Sequence, residues 1–227
     1  MTKRKTSALR KDNHSAQNRK HEGKYMTESK TIDFTQAQPK RQTKPVELIP
    51  QSRNQERYIV ALTDPETDIV MVSGPAGTGK TYLAMLAAVR AFREGEVDCI
   101  VLTRPAVGVE DEKHGFLPGD LNQKMDPWVR PLTDILREYY RQPDIAAMIE
   151  EQKIEIAPLA FMRGRTFKSA YIIADEMQNA TPSQCKMLMT RIGEGSKIVI
   201  TGDVEQADRN RGNNGLMDLC QRLQEGG

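Results

Sequence analysis

Eight consecutive residues constrain this chain more than any others: Gly74-Pro75-Ala76-Gly77-Thr78-Gly79-Lys80-Thr81. They fit G-x-x-x-x-G-K-[ST], the phosphate-binding loop. Three glycines let the backbone turn tightly and aim its N–H groups at oxygens. The flanks suit that chemistry. Asp68-Ile69-Val70-Met71-Val72-Ser73 reads as a buried strand, and Tyr82 to Val89 is rich in helix formers. The helix start adds the positive end of its dipole. Lys80 is placed to reach the β- and γ-phosphates of a nucleotide, and the Thr81 hydroxyl to hold Mg²⁺.

A second signal lies downstream. Tyr171-Ile172-Ile173-Ala174 is an apolar strand ending in Asp175-Glu176, the Walker B arrangement that accompanies a phosphate loop. Asp175 is expected to contact Mg²⁺ through a water, because Mg²⁺ keeps much of its hydration shell. Glu176 is expected to orient or deprotonate an attacking water. Cys99 to Thr103 and Lys197 to Thr201 read as further strands, and Lys153 to Ala157 alternates like one. The predicted class is α/β: a mostly parallel sheet flanked by helices.

Helices are expected over Ser52 to Leu62, Trp128 to Tyr140, Thr181 to Ile192 and Leu216 to Leu223. The stretch from Val107 to Pro127, with three glycines and five acidic residues, reads as a long ordered loop. Trp128 is either a core anchor or a base-stacking platform. Asn54-Gln55 followed by Tyr58, just upstream of the loop, suggests an adenine contact, since a Gln amide offers both donor and acceptor; the plainer reading is a surface glutamine. Arg163-Gly164-Arg165 suits phosphate contacts or, equally, a salt-bridged surface loop.

Charge is unevenly spread. Residues 1–47 carry twelve Lys and Arg against five Asp and Glu, an excess of +7, leaving 21 against 26, or −5, in the remainder. Residues 1–44 are polar and poor in aliphatics, so a disordered basic tail is expected, followed by an ordered domain over 45–227. The tail is either a nucleic-acid-binding arm or a solvated extension. No run of about 18 apolar residues predicts a membrane span, and no apolar segment predicts a signal peptide. Cys99, Cys185 and Cys220 lack metal-ligand spacing and read as reduced thiols of a cytoplasmic protein.

Taken together, Asn54-Gln55-x-x-Tyr58, the phosphate loop, Thr103-Arg104-Pro105, Gly115-Phe116-Leu117-Pro118-Gly119, Arg163-Gly164-Arg165-Thr166, Asp175-Glu176-x-Gln178-Asn179 and Thr201-Gly202-Asp203-x-x-Gln206 resemble the PhoH-like ATPases, relatives of superfamily 1 helicase cores. The resemblance runs from Pro45 to the C-terminus. It implies one RecA-like domain that binds and hydrolyses ATP with Mg²⁺ and is linked to RNA or other single-stranded nucleic acid. Under it Gln206 senses the γ-phosphate. It also implies a homo-hexameric ring in which Arg163 or Arg165 acts across an interface, unless these arginines contact RNA. After Gln206 the chain departs from the family's Asp-Leu-Pro, reading Ala207-Asp208-Arg209-Asn210-Arg211. Two other classes stay open: a nucleotide-gated binding protein that does not unwind, and a P-loop kinase.

Overall fold

Five short aliphatic and β-branched runs form one parallel sheet: β1 Ile69–Ser73, β2 Cys99–Arg104, β3 Ile154–Pro158, β4 Ala170–Ala174 and β5 Lys197–Gly202. They are strands of a computed structural model that describes residues 44–105, 130, 132–206 and 214–225. The spatial order is β1-β5-β4-β2-β3. Every neighbouring pair is parallel, with Ser73 opposite Gly202, Thr103 opposite Ala174 and Tyr171 opposite Lys197.

Alternation along each strand divides the core in two. Val70, Ile100, Leu102, Tyr171, Ile173 and Val199 face one side. Val101, Ile172, Ala174, Ile198 and Ile200 face the other. The central strands β2, β4 and β5 are buried on both faces and read as apolar runs, whereas the edge strand β3 alternates with Glu155.

On the first side lie α1 (Arg53–Thr63), through Tyr58 and Leu62, and α2 (Lys80–Glu94), whose Leu83 to Val89 is buried throughout. A helical stretch over 132–137 adds Leu132 and Leu136, and α3 (Gln142–Glu150) adds Ile145. On the second side a 3-10 turn, Leu159–Met162, supplies Leu159 and Met162; α4 (Pro182–Met189) supplies Cys185 and Leu188, and α5 (Gly215–Glu225) supplies Leu216. Parallel strands joined by right-handed crossovers explain the division. From β1 to β2 to β3 the chain steps one way across the sheet, and from β3 through β4 to β5 it steps back. The carboxyl ends of β1 and β4 therefore lead to opposite faces. A crevice opens between them, over β5, where such sheets bind ligands.

Local chemistry sets the helix ends. The Ser52 hydroxyl accepts from the Gln55 N–H at the start of α1. At its other end Lys197 Nζ donates to the carbonyls of Ala61 and Asp64, at 3.4 and 2.6 Å, and the Tyr171 hydroxyl to that of Leu62. Burial pushes the Lys197 ammonium below its ordinary range, with Asp64, Asp68 and Glu96 opposing. α2 ends on Gly95, left-handed at φ +76°. Thr181 and Gln184 form a capping box on α4, with Pro182 in the first turn.

Two helices differ from the sequence expectation. α4 stops at Met189 instead of reaching Ile192, which forms an isolated parallel bridge with Phe167. The following Gly193 lies so close to Phe167 that a Cβ there would meet its carbonyl oxygen at 2.4 Å. The sequence pattern does not predict α3; Ile145 is its one buried residue, so it carries no apolar stripe to read. The expected long loop over 107–127, Gly115 to Gly119 and Trp128 lie outside the described residues, as do residues 1–43, Arg209 and Arg211. Among the described residues no helix is long and apolar enough to cross a membrane. Burial raises the Cys185 thiol to about 12, with Asp218 and Cys220 adding to it, which keeps it protonated.

Candidate nucleotide site at the carboxyl edge of the sheet

A cavity of ≈ 240 Å³ opens over β5 and is lined by Ala76, Gly77, Gly79, Lys80, Thr81, Tyr82, Asp175, Glu176, Gly202, Asp203 and Gln206. Its floor is the phosphate loop. Gly74 N–H donates to the Gly202 carbonyl at 3.2 Å, tying the loop to the end of β5. Gly77 and Gly79 are left-handed, at φ +77° and +79°, which side chains with a Cβ rarely adopt. Gly79 caps α2, whose first amides point into the cleft. Lys80 Nζ donates to the Gly74 and Pro75 carbonyls at 2.6 and 2.8 Å, and Thr78 Oγ1, 3.4 Å from that ammonium, donates to the Pro75 carbonyl at 2.8 Å.

The acidic pair arrives from β4. Asp175 N–H donates to the Thr103 carbonyl, extending the sheet by one bond. Its Oδ1 accepts from the Thr81 hydroxyl at 2.8 Å and from the fully buried Thr201 hydroxyl. Glu176 then takes a left-handed conformation, φ +55°, unusual for a residue with a long side chain. That turn directs the chain away from the strand into a 3-10 turn, Met177–Asn179.

Gln178 is almost wholly buried, at 1 % exposure. Its Nε2 donates to Glu176 Oε2, and its Oε1 accepts from the Asp203 N–H at 3.0 Å. The Asp203 carboxylate accepts from the Glu205 N–H, and the Asp203 carbonyl from the Gln206 N–H, shaping a tight turn that leaves Gln206 exposed at the cleft.

The expected adenine contacts lie beside the loop. Gln55 Nε2 donates to the Thr78 carbonyl at 3.0 Å, and its Oε1 accepts from the Gln51 N–H. Tyr58 is buried, and its hydroxyl donates to the Lys80 carbonyl at 3.2 Å. Burial, with Tyr171 and Asp175 adding to it, raises the Tyr58 phenol far above its ordinary range, so it stays a donor. Both side chains brace the loop; Asn54 is exposed. The arginines are elsewhere. Arg163 is exposed beyond the 3-10 turn that follows β3. Arg165 forms a two-point ion pair with Glu155 and stacks over Phe167, 4.5 Å from the ring centroid. β3 lies four strands from β1, about 19 Å at sheet spacing.

The residues fit a magnesium nucleotide. The Thr81 hydroxyl, which lines the cleft, donates its hydrogen to Asp175, so its oxygen keeps its lone pairs for a cation. Two hard oxygens suit Mg²⁺, which takes few protein ligands and keeps several waters. Gln178 and Thr201 stand within the sequence motifs, yet sequence reasoning assigns them no role. The apolar run Ile198 to Ile200 ending in Thr-Gly is the available signal for Thr201; nothing local marks Gln178.

Comparison with known proteins identifies the family. The family model described as PhoH-like protein matches residues 47–226. A PhoH-like protein of Synechocystis sp. is 53% identical over 154 residues, 68% of this chain and 46% of that protein. One of Bacillus subtilis is 52% identical over 158 residues, 70% and 49% of the two chains. Protein PhoH of Escherichia coli is 38% identical over 198 residues, 83% and 53%. The chain spans about half the length of these curated relatives. Among solved structures, the Sulfolobus solfataricus SWI2/SNF2 ATPase core in complex with dsDNA aligns with a TM-score of 0.37 at 15% identity, over 59% of this chain and 27% of that one, too distant a likeness to bear on function.

Proposed function

The chain belongs to the PhoH-like protein family, and from that premise we propose that it binds and hydrolyses ATP with Mg²⁺ in the cleft over β5. One observation carries the reading: Thr81 of the phosphate loop and Asp175, 94 residues later, share a hydrogen bond in a cleft that Glu176 and Lys80 also line. In this account Lys80 and the first amides of α2 hold the phosphates. Thr81 and Asp175 hold the metal, which when bound neutralises charge on the phosphate oxygens. Glu176 orients and deprotonates the attacking water. Gln206, exposed at the cleft, senses the γ-phosphate. Gln55 and Asn54 are the amides available to adenine, Gln55 after exchanging its loop partner. Release of phosphate from ATP, measured with and without single-stranded RNA, tests this. Turnover supports the hydrolase. ATP-dependent RNA affinity without turnover supports a nucleotide-gated binding protein, and transfer to another acceptor supports a kinase.

Coupling to RNA or another single strand is part of the reading, as are the cytoplasmic location and the division into a tail of 1–44 and an ATPase domain of 45–227. The +7 excess of residues 1–47 suits phosphates rather than base edges. Deleting residues 1–44 is expected to weaken single-strand binding and to flatten its salt dependence, the slope falling by about 0.7 for each phosphate that the tail neutralises. An unchanged slope in the truncated chain identifies the tail as passive.

A ring, with a hexamer the form suggested by the resemblance, completes the reading. An arginine finger is worth about 10³–10⁵ in rate. Arg163 and Arg165 follow β3, which lies about 19 Å across the sheet from β1 and its phosphate loop, a spacing that favours a neighbouring subunit's cleft over their own. Arg165 is spent on Glu155 and Phe167, which leaves Arg163 as the better candidate. Sedimentation is expected to report a particle several times 25.6 kDa. Mixing Lys80→Ala subunits with Arg163→Ala subunits is expected to restore some activity. A fully active monomer, or mixtures no better than either parent, contradicts the ring.

A further inference from the structure

We propose that Gln178 is a positioning residue that fixes the Glu176 carboxylate and ties it to the backbone amide of Asp203, so that the water-activating group and the end of β5 move as one unit. The inference rests on the reading of Glu176 as the base. It starts from an amide in an unusual place. Gln178 is 1 % exposed, flanked in sequence by the buried Met177 and Asn179. A buried amide without partners is strongly destabilising relative to an apolar side chain of the same size, so one kept there has both poles engaged.

Both engagements are specific. The carboxamide oxygen takes the Asp203 N–H at 3.0 Å, and the nitrogen donates to Glu176 Oε2. A donor, not an acceptor, faces the carboxylate, as an ionised acid requires. The slot is cut to fit. Gly202 stands against Gln178 so closely that a Cβ there would lie 2.8 Å from its Oε1 and 3.2 Å from its backbone nitrogen. Glu176 itself sits in a left-handed conformation beyond the end of β4. Gln178 therefore supplies the one hydrogen bond among the described residues that reaches the Glu176 carboxylate.

The other end of the bridge explains what is coupled. Asp203 begins the turn in which the Asp203 carbonyl accepts the Gln206 N–H, and Gln206 lines the cleft. A shift of Gln206 toward or away from a bound γ-phosphate moves the Asp203 amide. Through one rigid carboxamide it then moves the Glu176 carboxylate. A misplacement of about 1 Å at a reacting group is enough to cost on the order of 10²-fold in rate.

Gln178→Met keeps the volume and removes both hydrogen bonds. Expected is a fall in kcat of about 10- to 100-fold, while KM and the equilibrium affinity for ATP stay within about threefold. The same change in a Glu176→Gln background is expected to cost less than about threefold in the residual rate, because the group being positioned is already gone. A kcat within threefold of wild type overturns the proposal. So does affinity lost in step with kcat, or a full further loss in the Glu176→Gln background. Should Gln178→Met not fold, the wild-type chain still decides by nuclear magnetic resonance. The Gln178 side-chain amide protons are expected to exchange far more slowly than those of exposed Gln152, and to shift in Glu176→Gln. Exchange as fast as Gln152 overturns the bridge. A wild-type chain that releases no phosphate overturns the hydrolase reading instead, a result separate from all of these.

Discussion

Replacing Lys80 with alanine is expected to abolish measurable ATP hydrolysis and to weaken ATP binding by about 10- to 100-fold. The binding figure follows from removing one charge-assisted hydrogen bond, worth about 1.5–3 kcal/mol, with tenfold in affinity for each 1.4 kcal/mol. The larger effect falls on turnover. Charge builds on the phosphate oxygens as the bond breaks, and a preorganised cation at that point contributes about 10²–10³ in rate. Folding is expected to survive, because among the described residues the ammonium bonds to the Gly74 and Pro75 carbonyls and to Thr78, all within the loop, while the buried face of α2 begins at Leu83. Calorimetric titration with ATP and a phosphate-release assay check both halves. Hydrolysis within tenfold of wild type removes Lys80 from the site.

The phosphate loop was legible because its chemistry is contiguous: a turn needing left-handed glycines, a helix start and a lysine must follow one another in the chain. β4 was legible for a related reason. A strand buried on both faces is apolar throughout, so Asp175 and Glu176 mark where it leaves the core. Partners distant in sequence were legible only where a motif marks both ends, as for Thr81 and Asp175; the others were not. Tyr58 reads as a base contact because of its spacing from Gln55, yet its place on the buried stripe of α1 with Leu62 turns it onto α2, where its hydroxyl meets the Lys80 carbonyl. Arg165 reads equally as a phosphate ligand or as part of a salt-bridged loop; the second holds, because Glu155, ten residues earlier on the edge strand, takes both arms of its guanidinium, but the sequence does not say which reading wins. Gln178 needed β5 to be beside β4, with Gly202 opposite, before its amide had anything to bridge. α3 had too short a buried face to leave a periodic trace.

Glu176→Gln is the complementary change. It is expected to leave ATP affinity within about threefold of wild type and to lower turnover by about 10²–10⁴, the usual contribution of a general base. The reasoning is geometric. The metal-holding oxygens belong to Thr81 and Asp175, and the phosphate-holding groups to Lys80 and α2, so none of them changes. A glutamine fits the same space, and its carbonyl oxygen can still accept from Gln178. Only the proton acceptor is lost. Measuring ATP affinity and phosphate release on one sample of Glu176→Gln beside wild type therefore tests most directly whether the cleft over β5 is a hydrolytic site. The account predicts unchanged affinity with turnover reduced at least about a hundredfold; equal turnover in the two chains would contradict it.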